Sequence, residues 1–344
     1  MMKKIAITTL SVLLLLISVA GIMYLTPSGQ DALFKRAAHQ VLSAEPKETN
    51  GIQVIICGSA SPLGFDPNRA QACIAVITPE HFFLFDVGAR APLRIAQAQL
   101  PLARLDGVFL THFHSDHISG LPDVALNSWV QGRNSPLPIF GAEGVSTVVD
   151  GFNQAYELDR SYRTAHHGST LLPSRSGIMQ PHTFKEGGIV WQDDLITVRS
   201  FTVAHPPIEP AVGYRIDYRD RSVVISGDTN VTESLFAVGQ GADLLLHDAL
   251  SHTLLEPMIE LAQERMSSIM TDVIDYHANV EYLAAKASEA GIKKLALYHM
   301  VPVPSNPLME KMFLRNTPSG IILTEDLQTF TLPPYEQTIL VHEP

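Results

Sequence analysis

The sequence predicts a mixed α/β domain in which strands pack in two layers with helices outside. Three observations carry that expectation. Short apolar runs bounded by turn residues recur from residue 51 onward, helix and strand patterns alternate through the last third, and several runs end in histidine or aspartate. Apolar residues make up 46% of the 344 and charged residues 17%, which suits a packed core rather than a disordered chain.

The chain starts Met1-Met2-Lys3-Lys4, and an apolar run from Ile5 to Leu25 follows. Read as a secretory signal, the lysines are the n-region, Ile5–Ile17 the h-region and Ser18-Val19-Ala20 the cleavage site. Read as an uncleaved anchor, the run reaches the ~20 residues that a bilayer span needs. Both readings export the body to a periplasmic or extracellular face, and the second adds the membrane as a partner. Three parts are expected: a signal or anchor at 1–25, a polar linker at 26–50 and one domain at 51–344. Cys57 and Cys73 lie in strand-like runs, where a disulfide and two buried thiols are both admissible.

Within the domain, Ile52–Ile56 reads as a strand followed by a Gly/Ser/Pro loop. Cys73–Thr78 and Phe82–Phe85 read as a hairpin ending in Asp86-Val87-Gly88. Helices over Pro92–Gln99, Asp123–Gln131 and Gly144–Ala155 alternate with strands over Leu105–Leu110 and Pro138–Phe140. Residues 160–188 look irregular, so His166 and His167 there read as loop decoration. Strands resume at Ile189–Trp191, Ile196–Val203, Gly213–Asp217 and Ser222–Ile225. Asp243–Leu246 is a strand leading into His247-Asp248, and Asn279 caps a helix that Gly291 stops. Lys294–Tyr298 is a strand ending in His299, and Ile321–Thr324 with Gln328–Thr331 form a closing pair.

The chemistry concentrates in Thr-His-Phe-His-Ser-Asp-His at 111–117, after an apolar strand. Imidazole nitrogen and carboxylate oxygen form a ligand set suited to Zn²⁺ or a similar divalent ion. His112 and His114, two apart, share a side in an extended segment. Asp116 and His117 sit on the turn, where they can face a second ion. Further candidates stand at strand ends: His205, Asp228 within Gly227-Asp228-Thr229, and His299. Arg215 is a candidate for an anionic substrate or for a carboxylate partner. A net charge of −11 repels polyanions on average, which argues against a nucleic-acid partner.

With these motifs in order, the chain from 51 to 335 resembles the metallo-β-lactamase superfamily. The resemblance implies an αββα sandwich with two divalent metal ions, most often Zn²⁺. It implies His112, His114 and His205 on one ion, Asp116, His117 and His299 on the other, and Asp228 bridging them. Gly58-Ser59-Ala60-Ser61-Pro62, Gly213-Tyr214-Arg215, Leu246-His247-Asp248-Ala249 and His277 resemble the ribonuclease Z-like branch, which includes arylsulfatases. That branch implies His277 as the general acid, oriented by Asp248, and Asp116 as catalytic as well as a metal ligand. It usually carries Glu at the position of Asp248 and Ser-Thr at Ala278-Asn279. The expected activity is hydrolysis of a small anionic phosphodiester or sulfate ester by a hydroxide held between the ions. A ribonuclease Z-type 3′-tRNA endonuclease is the alternative, and a non-catalytic metal-binding protein of the same fold is the alternative of another class. A homodimer is compatible with all three.

Overall fold

The computed structural model describes residues 13, 16–42, 50–64, 66–185 and 187–344. Contacts divide the chain into two units, 1–47 and 48–344. In the first, residues 16–25 and Pro27–Leu42 are helical, so the polar stretch expected as a linker contains a helix. Much of the apolar run read as signal or anchor lies outside the described residues. Among the described residues no helix is long and apolar enough to cross a membrane.

In the second unit the strands are β1 (Ile52–Gly58), β2 (Cys73–Ile77), β3 (Phe82–Phe85), β4 (Gly107–Phe109), β5 (Leu137–Gly141), β6 (Met179–Thr183), β7 (Gly188–Gln192), β8 (Ile196–Thr202), β9 (Val212–Tyr218), β10 (Arg221–Ile225), β11 (Leu244–Leu250), β12 (Lys294–Val301), β13 (Ile322–Leu323), β14 (Thr329–Leu332) and β15 (Leu340–His342). They form an eight-stranded sheet, ordered β15-β14-β1-β2-β3-β4-β5-β6, and a seven-stranded sheet, ordered β13-β12-β11-β10-β9-β8-β7.

Period-two alternation sorts the side chains between layers. Ile52, Val54 and Ile56 of β1 join Phe83, Phe85 and Phe109 in the core between the sheets, where Val212, Tyr214, Val223, Leu244 and Ala296 meet them. Ile55 and Cys57 face outward, into a second core closed by helices Ala91–Gln97, Leu121–Val130 and Val145–Ala155 through Ile95, Leu121, Val124, Val145 and Val149. On the far side Leu245, Leu295 and Leu297 pack under Leu235, Phe236, Leu283 and Phe313. The architecture is the expected αββα sandwich. The neighbours β3 to β6 and β10 to β13 run parallel. Covered on both faces, strands such as β3, β10 and β11 are buried along their whole length, and β3 is a continuous apolar run.

Cys57 and Cys73 are joined in a disulfide between β1 and β2, which decides between the two readings of these cysteines. Three departures from the sequence reading stand out. His166 and His167 end a helix, Glu157–His167, rather than sitting in an irregular loop; its polar surface left no apolar stripe to read. β6 contains Pro181 and is tolerated because it is an edge strand. The two closing strands do not pair: β13 joins β12, while β14 joins β1.

Candidate metal centre

Each donor is carried by the end of an element or by a deliberate irregularity in one. β4 delivers Thr111 and His112, and the short helix Ser115–Ile118 carries Asp116 and His117. The loop is stitched to the other sheet by Val212 N donating to Thr111 O at 3.0 Å. The segments bearing His205 and Asp228 are tied by Ala204 N to Thr229 Oγ1 at 3.0 Å and by Asn230 N to Ala204 O at 3.0 Å. Gly227 precedes Asp228 with φ +65, and a Cβ there would lie 2.8 Å from Val212 O and 3.0 Å from Thr111 Cβ. Only glycine fits that close approach.

β12 does not end before His299, as expected, but runs on to Val301. The β11–β12 register shifts so that Asp248 faces Tyr298 while Ala249 faces Met300. His299 is the extra residue, with φ +45. A bulge at this point re-aims a side chain that the pleat would otherwise bury in a layer.

The donors converge in two groups, His112, His114 and His205, and Asp116, His117, Asp228 and His299, with the ligand atoms of each within 4.8 Å of one another. His114 Nδ1 lies 3.0 Å from His112 Nε2 and 3.4 Å from His205 Nε2. Imidazole nitrogens aimed at one point repel unless a cation sits between them. In the second group Asp228 Oδ2 is 3.2 Å from His117 Nε2 and 3.3 Å from His299 Nε2, and Asp116 Oδ2 is 3.0 Å from His299 Nε2. Asp228 Oδ2 also stands 3.9 Å from His112 Nε2, so this carboxylate reaches both groups. The donor set fits divalent metal.

Outer contacts fix the tautomers. Asp86 Oδ2 accepts from His117 Nδ1 at 2.8 Å and from Thr111 Oγ1 at 2.8 Å, leaving the His117 Nε2 lone pair pointed at the site. That atom is buried and makes no hydrogen bond among the described residues. The Tyr276 carbonyl accepts from His205 Nδ1 at 3.2 Å. Asp86 and Tyr276 were not singled out from sequence, although Asp86 follows a strand as the other site residues do.

Burial holds His112 and His205 below the ordinary imidazole value, which favours the neutral, lone-pair form. Burial alone would raise Asp116 and Asp228, but the imidazoles of His117 and His299 outweigh it and hold both well below the usual carboxylate range. Burial lowers His117 as well, yet Asp228, Asp116 and Asp86 together push it up.

His277 Nδ1 donates to Asp248 Oδ2 at 2.8 Å. Asp248 is fully buried and His277 nearly so. Burial would raise Asp248, but hydrogen bonds from His247 and His277 keep it below the usual range. His277 shares a cavity of about 240 Å³ with His114, Asp116, Asp228 and His299, so its ring and these four donors open on one space. Arg215 stands elsewhere, bonded to Asp217 Oδ1 at 2.9 Å and to the Val238 carbonyl at 2.6 Å. It is the carboxylate partner, not the substrate contact.

A family profile described as beta-lactamase superfamily domain matches residues 82–300. Ribonuclease Z of Mycobacterium bovis (strain BCG / Pasteur 1173P2) is 35% identical over 254 residues, 73% of this chain and 86% of that protein. Ribonuclease Z of Mycobacterium marinum is 33% identical over 73% of this chain and 87% of its own length. Among solved structures, human tRNase Z, short form, aligns with a TM-score of 0.58 at 20% identity, covering 82% of this chain and 99% of that one. The metallo-beta-lactamase fold protein YhfI from Bacillus subtilis aligns at 0.57 and 18%, covering 81% and 99%. On its fold, its donor pattern and these relatives, the chain belongs to the metallo-β-lactamase superfamily, in the ribonuclease Z-like branch.

Proposed function

We propose that the protein is a dinuclear metal-dependent phosphodiesterase of the ribonuclease Z type, with an RNA phosphodiester as its substrate. In this reading His112, His114 and His205 would hold one ion and Asp116, His117 and His299 the other, with the Asp228 carboxylate, which reaches both groups, shared between them. Two divalent ions, Zn²⁺ being the choice that the imidazole-rich set favours, would supply an activated water and neutralise charge gathering on the phosphoryl oxygens. The chain's own part is to orient and to move a proton. Asp248 fixes the His277 ring through Nδ1, so that Nε2 is the atom that gives a proton to the departing oxygen. The observation that carries the reading is this buried pair, whose His277 lines the same cavity as the donors His114, Asp116, Asp228 and His299.

The mycobacterial relatives are ribonucleases by name, and their similarity spans most of both chains. They favour a nucleic-acid substrate over the sequence-based expectation against one. The sulfate-ester expectation has no such relative behind it. A second reading, a small organic phosphodiester met outside the cytoplasm, has specific observations in its favour. The Cys57–Cys73 bridge suits an oxidising compartment, and the lysine-led apolar run at 1–25 suits a signal or anchor ahead of a hydrolase domain at 51–344. Between the histidine motif and His205, Arg133 and Arg160 bond to Ser176 O and Asn153 O, and Arg163 pairs with Asp159 at the surface, so these three are engaged within the protein.

A precursor tRNA with a 3′ trailer and bis(p-nitrophenyl) phosphate, each offered to the metal-loaded protein, separate the readings. Trailer removal supports the first, hydrolysis of the aryl diester alone supports the second, and inertness toward both contradicts the phosphodiesterase assignment.

A further inference from the structure

The cavity is lined by two chemically different sets of residues: His114, Asp116, Asp228, His277 and His299, and beside them Pro62, Leu63, Val273, Tyr276 and Val301. Nothing in the hydrolysis of an ester needs the second set. A metal centre that accepted any phosphate ester would be served equally well by polar or open surroundings, so apolar surface kept beside it points to an apolar part of the substrate.

Tyr276 is the distinctive member. Its ring stands edge-on to His205, with centroids 4.9 Å apart and planes at 87°, and lies 5.1 Å from the ring of His277. Its carbonyl is tied to His205, which holds its backbone in place, and its side chain is half-buried. The phenol hydroxyl makes no hydrogen bond to another described residue. A half-buried aromatic ring that lines the cavity is a stacking platform with a polar tip. The flanking stretch 266–276 carries Asp272 and Asp275 and no lysine or arginine. It therefore suits an uncharged ring rather than a further phosphate.

We infer that Tyr276, with Leu63 and Val273, forms a ring-binding subsite that selects phosphate esters bearing a planar, uncharged ring next to the scissile bond. The inference rests on the phosphodiesterase reading for its substrate but not for its test. A nucleobase and an aryl group share this chemistry.

The test is titration calorimetry of the metal-loaded protein with phenylphosphonate, methylphosphonate and uridine 3′-phosphate, none of which needs to be hydrolysed. Phenylphosphonate should bind about tenfold or more tighter than methylphosphonate, in line with the usual value of one stacked ring. Tyr276→Phe should keep that ratio and Tyr276→Ala should bring it close to one. Uridine 3′-phosphate responding to Tyr276→Ala in the same way assigns the ring to a base; its indifference, with phenylphosphonate responding, assigns it to an aryl ester. Equal affinity of the wild-type protein for phenyl and methyl phosphonates, or binding of neither, overturns the inference whatever the variants do. Ring-dependent binding without cleavage of any phosphodiester would sink the phosphodiesterase reading and leave the subsite standing.

Discussion

His277 and Asp248 meet at 2.8 Å with the carboxylate fully buried, and this contact has consequences that can be measured. A general acid matters in proportion to how badly the leaving group needs a proton. His277→Ala should therefore cost about 10²- to 10⁴-fold in kcat on an alkyl or ribosyl phosphodiester and far less on a p-nitrophenyl ester. Equal losses would remove the ring from the proton-transfer role. Asp248 also makes a prediction about stability. Its folded pKa lies below the unfolded value, so its contribution is fully present above the ordinary Asp value of about 4 and is lost as pH falls through the lower folded value. The stability gap between wild type and Asp248→Asn, read from urea midpoints, should be level from pH 8 to about pH 5 and shrink below about pH 4. A gap that widened with acid would mean that the carboxylate is not stabilised by its imidazoles. At this scale the sequence was most readable where the donors are contiguous. His112, His114, Asp116 and His117 lie within six positions. Asp86, which fixes His117 from 31 positions away, was passed over because nothing local distinguishes an orienting carboxylate from any other strand-end aspartate.

Among the elements, buried strands and their turns were read closely, since apolar runs and breakers report directly on local structure. β3 spans the expected residues, and Asn279 caps its helix by accepting from Glu281 N at 3.0 Å. What the local pattern could not give was partnership. That β13 and β14 belong to different sheets, and that β12 bulges at His299 instead of ending there, are decided by neighbours remote in sequence. Helices with mostly polar surfaces, such as Glu157–His167, carry too narrow an apolar stripe to be seen. The β1–β2 pair carries its own test. The Cys57–Cys73 bridge closes a 16-residue separation and lies in the outer core, and neither cysteine is a donor. Replacing both cysteines by alanine should cost about 2–4 kcal/mol of unfolding free energy in urea, with the metal content unchanged. Loss of metal together with the bridge would show that the two cores are coupled more tightly than their separate side-chain clusters suggest.

For the whole molecule, two sheets bring the ends of interior strands to a single cleft, and the fold's main task there is to hold like groups close together. Two imidazole nitrogens around His114 Nδ1 and two carboxylates around His299 Nε2 are arrangements that stored protein stability must sustain. Cations bound there stabilise the native state by mass action, because the unfolded chain offers no such site. The central claim is that seven side chains spread from His112 to His299 form one two-ion centre. Metal content per chain after equilibrium dialysis against Zn²⁺ tests it most directly, measured by mass spectrometry on the wild type and on His205→Ala and Asp116→Ala. Two equivalents are expected for the wild type and one tightly held equivalent for each variant. A folded wild-type protein that retains no stoichiometric metal, or variants that still hold two, would contradict it.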